Sequence, residues 1–167
     1  EGRAILGARA LDRLERLPAR LESFAQFAGR HPDGRVLVPN DSSLRDYGRN
    51  PYVGYDGAPR PFLYRGDYDG PGTPLMRVVS VEGRAEAWSL PLLAERGEIL
   101  DGDLRLRWQP GQASALDAPT VAEGRDVGTV TVERRGADGV WRDAVHDVPF
   151  AFAWAAFNPG APIHHGE

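Results

Sequence analysis

MRVVSVEGRAEAWSL, residues 76–90, is the stretch that decides the fold class. Two runs rich in β-branched and aromatic residues flank the dipeptide Glu82-Gly83, which suits a tight turn between strands. The stretch therefore predicts a β-hairpin.

A short helix and a second hairpin are predicted downstream. PLLAERG, residues 91–97, predicts one or two helical turns with Pro91 at the first position, where no backbone N–H is needed. GTVTVERR and GVWRDAVHDV, residues 128–135 and 139–148, are separated by a glycine-containing turn. Because both are rich in residues that favour strands, they predict the second hairpin.

Two further stretches carry most of the remaining apolar residues. DLRLRWQ alternates cleanly and places Leu104, Leu106 and Trp108 on one face, as in a half-buried strand. PFAFAWAAFNPG, residues 149–160, is either a buried strand or a short helix, and periodicity alone does not decide between them. Its aromatic side chains are expected to belong to the core.

The first part of the chain predicts one capped helix. Ser23 and Gln26 have the spacing of a capping box, in which the serine oxygen accepts a backbone N–H and the glutamine reaches back. The helix is predicted over residues 24–30, with its two phenylalanines facing the core. RVLVP, residues 35–39, is predicted to be a strand by composition.

Residues 40–74 contain no periodic element and are rich in Gly, Pro, Asp and Tyr. We expect this long loop to be ordered, because tyrosine rings bury well while their hydroxyls form hydrogen bonds at the edge. The whole chain is predicted to be a single domain of the β-dominated α+β class, with an antiparallel sheet or a partly open barrel. Its parts are lead strands and a short helix in 1–39, the long ordered loop in 40–74, and a β-rich body in 75–167.

Composition excludes several classes of function. The chain has 167 residues and a net charge of -4, which argues against a nucleic-acid partner. It contains no cysteine, which excludes disulfides, thiolate catalysis and cysteine metal sites. The histidines lack metal-ligand spacing, and the longest apolar run, residues 150–157, is too short to span a membrane. We therefore expect no metal, no cofactor and no membrane span in this chain.

The most unusual stretch is RDYGRNPYVGYD, residues 45–56. In a ligand-binding interpretation, its arginines are planar forks for a carboxylate or phosphate, its tyrosines are walls, and an aspartate is a base. In a structural interpretation, which we favour, the arginines pair with the nearby aspartates. No catalytic residue is assigned, since Ser114 in GQASALD lacks the GxSxG elbow of serine hydrolases. The candidate ligand-binding residues are Arg45, Asp46, Tyr47, Arg49, Asn50, Tyr52, Tyr55 and Asp56.

The sequence also carries a resemblance to a known family. It contains, in this order and along nearly its whole length, RLERLPARLESFAQFAGRHPDGRVL, RDYGRNPYVGYD, RPFLYRG, PLMRVVSVEGRAEAWSL, GQASALD, EGRDVGTVTV and DVPFAFAWAAFNPG. In these stretches it resembles an uncharacterised prokaryotic family, domain of unknown function three-one-seven-nine. The resemblance implies a longer protein, often exported, whose upstream half carries a cysteine-containing motif, with the present chain as its C-terminal portion. It also implies an extracytoplasmic or periplasmic location, and it brings no known activity.

Two functions from different classes follow. The first is a non-catalytic binding or assembly domain of a longer exported prokaryotic protein, which holds a partner subunit, a second copy or the missing N-terminal half. The alternative is an enzyme or anionic small-ligand-binding module with its site on residues 45–56. The only methionine is Met76, so we expect a longer protein. Because Ile5, Leu6 and Leu11 have no obvious partner in this chain, their segment is expected to pack on other polypeptide.

Overall fold

The structure is a computed structural model that describes residues 2–62 and 64–166. Its described strands form two four-stranded sheets, accompanied by three short α-helices, and the sheets do not close into a barrel. This is the predicted β-dominated α+β class. Glu1, Leu63 and Glu167, which the predicted single domain includes, lie outside the described residues.

The first sheet is built around the hairpin predicted at residues 76–90. Strands β1 (Val78–Val81) and β2 (Ala87–Ser89) pair antiparallel, with Val79 opposite Trp88. The hairpin prediction is therefore confirmed. The two outer strands of this sheet come from the end of the chain.

In the sequence, the second sheet lies between the β1–β2 hairpin and the two outer strands of the first sheet. It contains β3 (Glu98–Asp101), β4 (Leu104–Gln109), β5 (Thr129–Arg135) and β6 (Trp141–Asp143), which follow one another in that order and pair antiparallel. Strands β5 and β6 are the second predicted hairpin. Sequence reasoning did not assign β3, because a four-residue strand with charged ends gives no clear alternation.

The outer strands of the first sheet are β7 (His146–Asp147) and β8 (Ile163–His164), and the strand order is β7-β1-β2-β8. Strand β7 pairs antiparallel with β1, whereas β8 pairs parallel with β2. A two-residue strand shows no pattern in the sequence, so both strands are recognisable only from the assembled sheet.

The three helices are short and defined by their ends. Helix α1 (Phe24–Arg30) begins with the predicted Ser23–Gln26 capping box. Helix α2 (Leu90–Arg96) directly follows β2, and the Ser89 hydroxyl caps it by accepting a hydrogen bond from a backbone N–H. Helix α3 (Ala151–Phe157) lies within residues 149–160, for which the sequence allowed either a strand or a helix. The helix is therefore the correct alternative.

The core residues lie between Leu75 and Ile163. A main cluster joins the two sheets and α2, and a smaller one lies under α3. Each fully buried aliphatic or aromatic side chain contributes roughly 1.5–3 kcal/mol by removal from water. The main cluster includes Val79, Trp88, Leu93, Leu104, Leu106 and Val132, and the smaller one Val78, Ala151, Trp154 and Ile163.

Two predictions for the first 39 residues are wrong. Helix α1 has no buried residue, and Phe24 is 69% exposed instead of facing the core. Residues 35–39 form no strand, and Leu37 is 99% exposed. Residues 35–39 pair with no other strand among the described residues. A strand-favouring composition does not produce a strand unless the segment also packs against a neighbour.

Residues 40–74 contain only two single-turn 3₁₀ helices in their described part, Ser42–Leu44 and Tyr55–Gly57. The segment is tied to the loop between β4 and β5 by its backbone. Asn50 donates its N–H to the Pro119 carbonyl at 2.8 Å, and Gly54 donates to that of Asp117 at 2.7 Å. These bonds place the end of the candidate stretch against the body of the domain.

Candidate functional site

Asp56 is the point at which the long loop reaches the interior. It lies in the 3₁₀ turn Tyr55–Gly57, which directs its side chain inward, so that the side chain is only 2% exposed. Arg77, just before β1, donates from Nη2 to Oδ1 of Asp56 at 3.0 Å and to Oδ2 at 3.3 Å. A buried carboxylate needs such a partner, since an unpaired charge away from water is very costly.

Ser114 completes the surroundings of this carboxylate. Its hydroxyl donates to Oδ2 of Asp56 and accepts the N–H of Leu116 at 3.1 Å. The backbone N–H of Asp56 in turn donates to the Leu116 carbonyl at 3.2 Å. Because Ser114 is 1% exposed and uses its hydroxyl in both directions, it positions Asp56 and is not accessible as a nucleophile.

A second guanidinium lies beside the same carboxylate. Arg125 Nη2 is 3.8 Å from Oδ2 of Asp56 and 3.4 Å from its backbone oxygen, while 56% of the Arg125 side chain is exposed. Arg77 also lies over the ring of Phe150, with its Cζ 5.3 Å from the ring centroid. Two cations therefore face one anion, and the more exposed cation is Arg125.

An open cleft of about 530 Å³ begins at this cluster, and we call it the Asp56 cleft. A second cleft of about 570 Å³ shares Arg77, Leu90 and Val127 with it. The Asp56 cleft is mainly apolar away from its charged end, as ligand sites usually are. Its lining includes Leu75, Met76, Leu90, Pro91, Ala94, Trp108, Arg125, Asp126 and Val127.

Asp126 lies at the rim of the Asp56 cleft. Its carboxylate accepts backbone N–H groups from Gly111 and Gly128 at 2.8 Å and from Gln112 at 3.2 Å. The hydrogen bonds from Gly111 and Gly128, with a smaller one from Gln112, lower the pKa of Asp126 below its ordinary value. Hydrogen bonds to the charged form stabilise it, so this side chain stays anionic into the acid range.

The structure separates the eight residues that the sequence grouped. Asp56 alone lines the Asp56 cleft. Arg49 pairs with Asp46 at 3.5 Å on the surface, as the structural interpretation expects, and Asn50 is 6% exposed. The Asn50 side chain accepts the Tyr52 N–H at 2.7 Å and donates to the Ala118 carbonyl at 3.0 Å. Arg45 and Tyr47 are exposed.

The tyrosines of the stretch pack with aromatic residues from other segments. Tyr55 contacts Phe62 edge-on, with 5.3 Å between ring centroids, and Phe150 edge-on at 5.7 Å. Tyr52 stacks on Phe62 at 6.1 Å. Edge-to-face and offset contacts at these separations are favourable. The rings therefore join the loop to the start of α3.

Sequence reasoning missed Arg77, Ser114 and Arg125. They lie 21, 58 and 69 positions from Asp56, so no local spacing connects them. The available signal was that each lies in one of the stretches through which the chain resembles its family, namely PLMRVVSVEGRAEAWSL, GQASALD and EGRDVGTVTV.

A second feature is the N-terminal arm, which we define as residues 2–38. Its first part is an irregular hairpin, in which Ala4 donates to the Asp12 carbonyl at 2.9 Å and Leu14 to that of Gly2 at 2.8 Å. The large apolar side chains that the arm exposes are Ile5, Leu6, Leu11, Leu14, Leu17, Leu21, Phe24, Val36, Leu37 and Val38.

Polar contacts attach the arm to the body. Arg16 forms an ion pair with Asp147 at 2.5 Å, and Arg20 forms one with Asp143. Gln26 donates to the Pro110 carbonyl at 2.9 Å, and its side-chain oxygen accepts the Thr129 hydroxyl at 2.6 Å. The arm thus contacts its own domain through hydrogen bonds and charges while apolar side chains face water.

The described residues offer neither a metal cluster nor a membrane-spanning helix. They contain no group of three or more His, Cys, Asp or Glu side chains placed to hold a metal ion. None of their helices combines the length and apolar character that crossing a bilayer requires.

Fold and site together define a β-dominated α+β domain with a buried Asp–Arg–Ser cluster beside a cleft. Residues 1–161 match the model of the family described as "Protein of unknown function (DUF3179)", and the chain belongs to that family. The resemblance noted in the sequence is thereby confirmed. No curated protein and no solved structure matches the chain. The family is of unknown function, so membership assigns no activity to the chain.

Proposed function

We propose that this chain is a non-catalytic binding or assembly domain of a longer exported prokaryotic protein, and that its arm is the binding surface. The distribution of apolar side chains carries the proposal. In the described residues, the buried aliphatic and aromatic core residues all lie between Leu75 and Ile163. Most of the large apolar side chains that are exposed precede residue 63. Export is supported by the family resemblance.

The exposed side chains of the arm make this arrangement unfavourable for an isolated chain. Ile5 and Leu6 are 83% and 84% exposed, and burying a side chain of this kind gains roughly 1.5–3 kcal/mol. Soluble monomers rarely leave apolar patches beyond a few hundred Å² uncovered. A segment that turns its polar groups to its own body and its apolar groups outward is arranged to be covered by another polypeptide.

The charge distribution favours a second copy of this chain as the partner. Residues 1–39 carry seven arginines and five acidic residues, whereas residues 40–167 carry thirteen arginines and nineteen acidic residues. The N-terminal segment is thus net basic and the body net acidic, and Arg16 and Arg20 already use this attraction within their own chain, so charge between copies acts on orientation only through the remaining arginines. Complementary charge steers association and fixes orientation, while apolar burial supplies the affinity.

Sedimentation velocity on three versions of the 167-residue chain tests the proposal. The first is the wild type, and the second carries Ile5→Ser, Leu6→Ser and Leu11→Ser. The third, a matched control, carries Leu100→Ser and Val140→Ser, which replace exposed apolar residues of the body. We expect a concentration-dependent dimer for the wild type and the control. For the triple variant we expect a monomer whose melting temperature equals that of the wild type at dilutions where the wild type is monomeric. A wild-type chain that stays monomeric at every concentration overturns the proposal.

The alternative, an anionic small-ligand-binding module, is favoured by one observation. Asp56, from the stretch singled out in the sequence, lies at an apolar cleft that two arginines border. Those arginines come from outside the stretch, so the site differs from the one the sequence suggested. We assign no catalytic role to this site, because Ser114, the hydroxyl beside Asp56, is buried.

A further inference from the structure

We infer that the Asp56 cleft binds a small monocarboxylate with an apolar body, the carboxylate lying on Arg125 and Arg77. The inference does not depend on the proposed protein interface, because no exposed apolar residue of the arm lines this cleft. It rests on the shape of the cleft, the free donors at one end and the balance of charge there.

The apolar part of the cleft supplies a surface for the body of the ligand. The volume of about 530 Å³ lies within the range of small-molecule sites, roughly 300–1,000 Å³. Leu75, Met76, Leu90, Pro91 and Val127 line it together with the indole of Trp108. Trp108 is held in place because its Nε1–H donates to the Val127 carbonyl at 3.0 Å. A fixed aromatic wall needs no reordering when a ligand binds.

The charged end supplies N–H donors for an anion. Within the described residues, Arg77 makes its hydrogen bonds to Asp56 through Nη2 alone, although its guanidinium has other N–H groups. The Arg77 side chain is 17% exposed and lines both clefts. Arg125 adds a second, more exposed guanidinium. Guanidinium groups match the planar geometry of a carboxylate.

The charge balance selects a single negative charge. Among the described residues, Asp56 is the one carboxylate within 4 Å of the guanidinium of Arg77 or Arg125, so these two guanidiniums share a single anion at this end of the cleft. Asp126 brings the net charge of the whole lining to zero, which leaves room for one negative charge at most beside the arginines. Asp126 at the rim keeps its charge through three backbone N–H donors. A phosphate monoester, with a charge of about −1.5 to −2 at neutral pH, would place its excess charge near this carboxylate. A monocarboxylate avoids that repulsion.

Three probes with the same apolar body test the inference: 4-phenylbutyrate, 4-phenylbutyramide and 4-phenylbutylamine. Each is titrated into the full chain by isothermal calorimetry, and the site is located from amide and indole N–H shifts in NMR spectra. We expect the carboxylate to bind at least about tenfold more tightly than the amide and the amine not to bind. We also expect the Trp108 indole N–H to shift.

Matched variants separate the contribution of the positive charge to ligand affinity from that of the apolar volume. Arg125→Gln removes the exposed guanidinium and is expected to lower the affinity for 4-phenylbutyrate about tenfold. Ala94→Phe fills the apolar part without changing charge and is expected to abolish binding. Arg142→Gln removes an arginine whose ion pair is with Asp138 in the β5–β6 hairpin, and it should bind like the wild type. Equal binding of carboxylate and amide, or shifts confined to the arm, would overturn the inference.

Discussion

The hydroxyl of Ser114 donates a hydrogen bond to the buried carboxylate of Asp56, across 58 positions of the chain. Together with Arg77, this bond holds the middle of the irregular loop at residues 40–74 against the start of β1. The cluster is therefore both a stabilising clamp and the charged end of a cleft. Its two roles are separable by mutation, because Arg125 borders the cleft but is largely exposed.

Removal of the Asp56 carboxylate is expected to destabilise the domain strongly. Asp56→Ala leaves the largely buried Arg77 without its anion and should lower the free energy of unfolding by about 3–5 kcal/mol. Ser114→Ala removes one hydrogen bond and should cost about 1–3 kcal/mol. Urea unfolding measures both. Asp46→Ala is the control, since the exposed Asp46–Arg49 pair should contribute nothing measurable; an equal loss in this control would contradict the clamp.

Trp154 is expected to be a major contributor to the smaller core cluster. It is 5% exposed, and its Nε1–H donates to the Ser80 hydroxyl at 3.1 Å. Trp154→Ala should lower the free energy of unfolding by about 3–5 kcal/mol. Phe157→Ala in the same helix is the control, because Phe157 is 78% exposed and its truncation should change the melting temperature little. Similar melting temperatures for the two variants would contradict the core assignment.

Gly128 is expected to tolerate no side chain. Its φ is +71°, and a Cβ there would lie 2.0 Å from Nε1 of Trp108. Gly128→Ala should therefore displace the indole, lower the free energy of unfolding by more than about 2 kcal/mol, and weaken ligand binding in the Asp56 cleft. Gly160→Ala is the matched control: its φ is +76° with nothing within 4 Å, so only the backbone cost of about 1–2 kcal/mol should appear. Thermal unfolding of both variants decides between clash and backbone strain.

The loop at residues 40–74 is expected to be ordered where it contacts the body. The amides of Asn50, Gly54 and Asp56 donate to carbonyls at 2.8, 2.7 and 3.2 Å, so hydrogen exchange there should be slow. Residues 36–38 of the arm, which form no regular structure, should exchange quickly in the monomeric triple variant. Exchange at Gly54 as fast as at Leu37 would show that the loop is not held.

Asp126 is expected to make stability depend on pH in the acid range. Backbone hydrogen bonds, those of Gly111 and Gly128 first, hold the pKa of Asp126 below its ordinary value of about 3.9. Because the pKa of Asp126 is lower in the folded state than in the unfolded state, ionised Asp126 stabilises the fold. This contribution is complete above the ordinary pKa and is lost as the pH falls through the folded-state pKa. The difference in unfolding free energy between wild type and Asp126→Asn should shrink on acidification. A difference that stays constant with pH would contradict this.

Local rules predicted the parts of the fold that depend on local chemistry. The capping box at Ser23, the hairpin at residues 76–90 and the turn before β6 were all recoverable from nearby residues. The strand predicted at residues 35–39, RVLVP, was wrong because composition alone does not supply a partner strand. Strands β7 and β8 were missed because two residues carry no period, and only the sheet defines them.

The Asp56 cleft shares one residue, Asp56, with the candidate residues that the sequence singled out. Asp56 was chosen as an acidic residue near arginines, but Arg45 and Arg49 are not the arginines that pair with it. The actual partners, Arg77 and Arg125, become neighbours of Asp56 only when the loops close. Long-range ion pairs leave no spacing in a single sequence.

The strand order of the first sheet has a consequence for how the chain is made. Its inner hairpin, β1 and β2, is synthesised well before the outer strands β7 and β8, which carry residues 146–147 and 163–164. The second sheet lies wholly between them in sequence, so it can fold while the ribosome still holds the end of the chain. The first hairpin must then wait with both edges open, which exposes it to pairing with other chains. A nascent chain stalled before residue 146 should need a chaperone that a chain released after residue 164 does not.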